Sequence, residues 1–95
     1  MFIPKTFTQK IELGQVLITP GAHDDLDLKD VDSSLVRHAG GDFGDVSEED
    51  KELNETALET GDRILSSYRD RNGIKFWIIT EWDRSATTIL LPDEY

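Results

Sequence analysis

The chain predicts an α+β fold in a single small domain, and three observations carry that expectation. Apolar residues recur at helical spacing through much of the stretch from Pro20 to Gly61, and from Arg63 the period changes to two. Helix-stop and hairpin dipeptides, Gly40-Gly41 and Asn72-Gly73, fall where such elements would end. The length, 95 residues, suits one domain near the lower size that folds without staples, and a deep substrate pocket would consume much of its core. The expected architecture is an N-terminal strand, two short helices, one acidic amphipathic helix and a three-stranded antiparallel β-meander. Residues 1–10 are expected to form a loose N-terminal segment.

"IELGQVLITP" alternates well enough to predict a first strand over Ile11 to Thr19, with Gly14 loosening its start. Thr19 followed by Pro20 is a helix entry, because proline is pre-set for the first turn and the threonine oxygen can cap it. That helix is expected to run to about residue 27. "DVDSSLVRHAGG" predicts a second short helix, in which Val31, Leu35 and Ala39 recur at four-residue spacing before the glycine pair stops it. His38 falls in its last turn, where a positive imidazole would suit the helix dipole. Phe43, among aspartates and glycines, is expected to tuck a loop under the core.

Ser47-x-x-Asp50 is a capping box, with Glu48 and Glu49 in the first turn where the dipole favours acids. On the helix that follows, Glu48, Glu52, Glu55 and Glu59 fall within about 60° of one another, while Leu53, Ala57 and Thr60 gather on the opposite side. Gly61 supplies the stop. From Arg63 to Leu91 three antiparallel strands are expected, turned by Asn72-Gly73 and by "WDRS". In the middle strand Ile74, Phe76 and Ile78 share one face and Trp77 and Ile79 the other, so it should be central and covered on both sides. Helices would cover one face, and either a homodimer contact or a returning N-terminal strand the other.

Composition excludes several function classes. The chain has no cysteine, which removes disulfide frameworks, zinc ribbons and thiol nucleophiles, and a cytoplasmic location is the simplest expectation. No apolar run approaches the roughly 20 residues of a membrane span. The net charge is −10, and its distribution is uneven: residues 22–62 hold 14 acids against three bases. Such a chain is repelled by nucleic acid and anionic membrane and attracts basic proteins.

No catalytic motif accompanies this charge. Ser66, Ser67 and Ser85 lack a nucleophile elbow, and neither a phosphate loop nor a dinucleotide fingerprint occurs, so an enzyme is not expected. A calcium loop starting at Asp42 puts Gly44, Val46 and Leu53 at ligand positions, and one starting at Asp45 lacks the required glycine, so both registers fail. His23 heads "HDDLD" without a partner histidine at ligand spacing. No cofactor and no metal are expected. A small metal-dependent, ligand-binding or catalytic protein built on the Asp42/Asp45 loop with His23 is the competing class.

Two binding surfaces remain. Like charges at i, i+4, i+7 and i+11 oppose helix formation by roughly 0.2–0.5 kcal/mol for each close pair, and only Lys51 stands nearby. That row, Glu48, Glu52, Glu55 and Glu59, suits a basic protein partner, and in its sharpest form imitates the charge of nucleic acid. The turn Trp82, Asp83, Arg84 and Ser85 combines an aromatic anchor with a planar hydrogen-bonding fork, residue types favoured at interface hot spots. Its bland counterpart is an Asx-turn closed by Asp83 and Ser85, with Arg84 bridging to Glu81.

"GDFGDVSEEDKELNETALETGDRILSSYRDRNGIKFWIITEWDRSATTILLPDEY", with "GQVLITPGA" upstream, resembles a group of short bacterial proteins labelled plasmid-related or hypothetical. Their pattern runs GDWGD, an acidic E-D with N, R-x-LS-x-Y, then WIITE-x-DRS-x-TTILLP-x-EY. The resemblance spans Gly14 to Tyr95, with Phe43 where the pattern usually has tryptophan. It implies carriage on bacterial mobile elements and a compact cytoplasmic protein, and brings no catalytic residues with it.

Overall fold

The computed structural model describes residues 7–95. In chain order these form β1 (Gln15–Ile18), α1 (Pro20–Asp25), α2 (Leu28–Ala39), α3 (Glu48–Thr60), β2 (Ile64–Arg69), β3 (Lys75–Thr80) and β4 (Ala86–Leu90), then a 3-10 turn, Pro92–Glu94. The expected loose segment lies partly outside the described residues. Within them, Phe7 packs on the core, and the Lys10 and Ile11 amides both donate to the Ala39 carbonyl.

The sheet has four strands in the order β1-β4-β3-β2, so it is mixed rather than a three-stranded meander. The meander is present in β2, β3 and β4, and β1 adds to it, parallel to β4. Alternation in "QVLI" marks a strand but carries no information about which neighbour it takes. The strand is also shorter than Ile11 to Thr19. Gly14 sits at φ +62, and a Cβ there would lie 2.4 Å from the Arg84 and Ser85 carbonyl oxygens. Only glycine allows that approach, and the bend sends Ile11 and Leu13 into the core ahead of the strand.

Thr19 caps α1, accepting from the Ala22 amide at 3.3 Å. α2 starts two residues before the expected Asp30, because Asp27 accepts from the Lys29 and Asp30 amides and so caps the helix earlier. Ser47 accepts from the Asp50 amide at 3.1 Å, which is half of the capping box. The Asn72-Gly73 turn is longer than a two-residue hairpin. Asp70 organises it, its Oδ1 accepting from the Asn72 and Ile74 amides and its Oδ2 from the Asp27 amide.

On one face of the sheet Ile64, Tyr68, Phe76, Ile78 and Ile89 pack with Val31 and Leu35 of α2, as the apolar stripe of that helix requires. β3 is central, as expected. Its other face carries Ile79, buried, and Trp77, half-buried. The N-terminal strand expected to return over it does not do so, since β1 extends the sheet beside β4 instead of crossing it. The C-terminal turn contributes instead, with Tyr95 edge-on to Trp77 at 5.8 Å between ring centroids. Glu94 anchors that turn, its carboxylate accepting from Thr19 Oγ1, the Gly21 amide and the Leu91 amide.

α3 is rotated relative to the expected face. Ala57 is buried as expected, but Leu53 is 62% exposed and Thr60 is exposed too, and Asn54 is buried in the place of Leu53. The physical reason is a polar clamp: Asn54 Nδ2 donates to the Leu65 carbonyl at 2.8 Å, and its Oδ1 accepts from the Leu65 amide at 3.2 Å. The side-chain amide thereby stands in for a neighbouring strand along β2.

Candidate interaction surface

Glu48, Glu52, Glu55 and Glu59 are all exposed on α3, one above another. Among the described residues none of them takes part in an ion pair. The row extends for about 16 Å at 1.5 Å per residue. Three acids, Glu48, Glu49 and Asp50, occupy the first turn of α3, and its last turn has no base of its own. The cation that the C-terminal end of the dipole calls for comes from elsewhere.

That cation is Arg84. Its Nη2 donates to the Ala57 carbonyl at 3.0 Å and its Nη1 to the Asp62 carbonyl at 2.7 Å and the Glu81 carbonyl at 3.1 Å. Lysine, arginine and histidine near the last carbonyls stabilise a helix end in this way. Arg84 is thus turned inward, and it bridges to the backbone of Glu81 rather than to its carboxylate. Asp83 Oδ1 accepts from the Ser85 amide at 3.0 Å and from Ser85 Oγ at 2.6 Å, closing the Asx-turn. The Ser85 hydroxyl and amide hold the Asp83 carboxyl below its ordinary range. Of the four turn residues Trp82 alone stands free, 67% exposed. Because Arg84 ties its turn to the last turn of α3, Trp82 and the acid row belong to adjoining elements.

The Asp42/Asp45 loop is engaged internally. Arg37 clasps Asp42 with two bonds, of 2.9 and 3.2 Å, and lowers its pKa; the Gly44 amide adds a third. The loop then pairs with β2: Ser67 donates its amide to the Phe43 carbonyl at 3.0 Å and accepts from the Asp45 amide at 2.7 Å. A Cβ on Gly44 would sit 2.1 Å from the Ser67 carbonyl, so the approach depends on glycine. His23, on α1, stands beside Asp24 instead. No group of three ligating side chains comes together among the described residues.

One constellation was invisible in the sequence. His38 meets Ser66, with Nδ1 2.6 Å from Ser66 Oγ and Nε2 2.8 Å from Thr80 Oγ1. Thr80 Oγ1 lies 2.7 Å from Thr87 Oγ1, which donates to the Leu13 carbonyl at 2.7 Å. Each hydroxyl has one proton, so the order is fixed: Thr87 gives its proton to Leu13, Thr80 to Thr87, and His38 must donate from Nε2. Burial, with Arg84 adding to it, lowers the His38 pKa to about 4, so the imidazole expected to be positive at the helix end is a neutral one near pH 7. With Nε2 carrying the one ring proton, Nδ1 accepts from Ser66. A serine donating to an imidazole resembles a nucleophile with its base, yet both side chains are 0% exposed and no substrate reaches them.

No helix among the described residues is long and apolar enough to cross a membrane. The chain matches no protein-family model, and no curated protein and no solved structure is significantly similar to it.

Proposed function

We propose that the protein is a non-enzymatic interaction protein of a bacterial mobile element, working in the cytoplasm, whose acid row engages a basic protein. Its sharpest form is inhibition of a basic nucleic-acid-binding or defence protein by charge mimicry. The observation that carries the reading is that four exposed glutamates stand in one row and, among the described residues, none is in an ion pair. Clamped by Asn54 at its middle and by Arg84 at its end, α3 presents those charges on a fixed frame, so little entropy is lost when a partner meets them. Its ~16 Å length compares with a short run of phosphates.

The test is retention of host proteins on the immobilised chain at low and moderate salt, with a Glu52→Gln, Glu55→Gln, Glu59→Gln variant alongside. A basic protein held by the wild type is expected to lose affinity with salt, and to bind the variant about tenfold more weakly, at roughly 0.5 kcal/mol for each exposed pair. Equal binding by the two chains would reduce the row to a solvated helix face. Trp82→Ala in the same assay reports whether the adjoining turn shares the contact.

A further inference from the structure

The two edges of the sheet are treated differently. Along β2 the outward-facing backbone is taken up at two of its three positions, Leu65 by the Asn54 amide and Ser67 by Phe43 and Asp45. Along β1 it is open. Its one neighbour in the sheet is β4, to which Gln15 and Thr19 both donate their amides. By strand alternation Val16 and Ile18 then turn their N–H and C=O groups away from the sheet. Natural edges are blunted with charges, bulges or proline. Gly14 to Ala22 contains no charged residue, and the side chains of Val16, Leu17 and Ile18 are 46%, 42% and 37% exposed. Below the edge a groove of about 300 Å³ runs between β1 and the Leu28, Val31 and Leu35 side chains of α2.

We infer that the β1 edge is the docking site for a second copy of this chain, paired antiparallel about a two-fold axis at Leu17 to give one eight-stranded sheet. Three observations select a second copy. The outward groups are self-complementary: with Leu17 on the axis, Val16 faces Ile18 of the partner subunit and Ile18 faces Val16 of the partner subunit. Each such pair exchanges two hydrogen bonds, so this register uses every outward N–H and C=O of the strand. Charge favours the same place. Copies carrying −10 each repel, and strand pairing falls on Gly14 to Ala22, which has no charged residue, with His23 and Asp32 at the wall of the adjoining groove. α3 packs on β2 at the far edge, about 14 Å away across three strand spacings, so the two acid rows lie at opposite ends of the joined sheet. Finally, the β2 edge is occupied through its middle by Asn54 and the Phe43–Asp45 loop, which blocks head-to-tail addition of β1 along it, and assembly stops at two.

Sedimentation velocity of the wild-type chain from about 10 to about 300 µM tests this, a range suited to a modest interface. The expected result is a species of twice the 10.8 kDa chain mass that grows with concentration. Val16→Lys, which places a charge on the edge, is expected to weaken dimerisation at least about tenfold. An independent variant, Leu17→Cys, is expected to cross-link under mild oxidation in a chain that has no other cysteine. Antiparallel residues in a non-hydrogen-bonded pair hold their Cα atoms about 4.5 Å apart, within disulfide reach. Glu55→Cys, on α3, should stay uncrosslinked. A single-chain mass at every concentration overturns the inference and leaves the edge to a strand from a different protein. A dimer that withstands Val16→Lys, with Leu17→Cys failing to cross-link, overturns the location.

Discussion

At the scale of single residues the buried imidazole of His38 has the clearest consequence for stability. Its folded pKa of about 4 lies below the 6.5 of a free histidine, so between these values the unfolded chain binds more protons than the folded one. The contribution is fully present above about pH 6.5 and is lost as pH falls towards 4. It amounts to roughly 3 kcal/mol at most. Urea titrations across that window should show the decline, and His38→Gln should flatten it while lowering the plateau. Ser67 presents the opposite case, a buried hydroxyl without a partner among the described residues. Since its desolvation is uncompensated, Ser67→Ala is expected to leave stability unchanged or raise it by about 1 kcal/mol, read from the denaturation midpoint. Ser66, its neighbour on the other face, should cost about 2 kcal/mol when changed to alanine, because His38 Nδ1 would lose its donor. Nothing in "SS" distinguishes these two serines. Their difference comes from which face of β2 each occupies and what lies opposite.

Among elements, the caps of α1 and α3 and the stop of α3 were legible in the sequence, because Thr19, Ser47 and Gly61 act on backbone groups a few residues away, whereas the Asp27 cap that starts α2 early was not. Nor was the packed face of α3. Hydropathy favours Leu53 as the inward residue, and only the edge of β2 makes Asn54 the better one. Polar residues chosen by backbone groups distant in sequence leave no periodic trace. Asn54→Ala should cost about 2 kcal/mol, by leaving the Leu65 amide and carbonyl without their partner, and should speed amide exchange at Leu65 more than at Ile78. The recognition turn is similar. Its Asx geometry was readable from Asp83 and Ser85, whereas the role of Arg84 at the end of α3 depends on a helix 24 or more residues earlier. The parallel pairing of β1 with β4 belongs to this class too, since strand alternation specifies faces and leaves neighbours undetermined.

Across the whole molecule, charge and stability are opposed. A chain of net charge −10 with an uncompensated acid row repels itself in the compact state, and salt screens that repulsion. Thermal melts should therefore rise between low and moderate ionic strength. The triple glutamine variant should melt higher than the wild type at low salt, by roughly 0.5–1 kcal/mol of relieved i,i+3 and i,i+4 repulsion, and the gap should narrow as salt is added. The same three substitutions thus raise stability and weaken partner binding if the row is a working surface.

β1 finds its hydrogen-bonding neighbour about 70 residues later in the chain, at Ala86 to Ile89, with Glu94 securing the same corner through Thr19 and Gly21. On a ribosome, which adds residues from the N-terminal end, the apolar stretch Val16 to Ile18 is made early and waits unpaired until β4 has emerged. Helices α1 and α2 can begin to form in that interval from local contacts, but the sheet cannot close. Among the described strands, the contacts that secure β1, the earliest made, are the latest to become available.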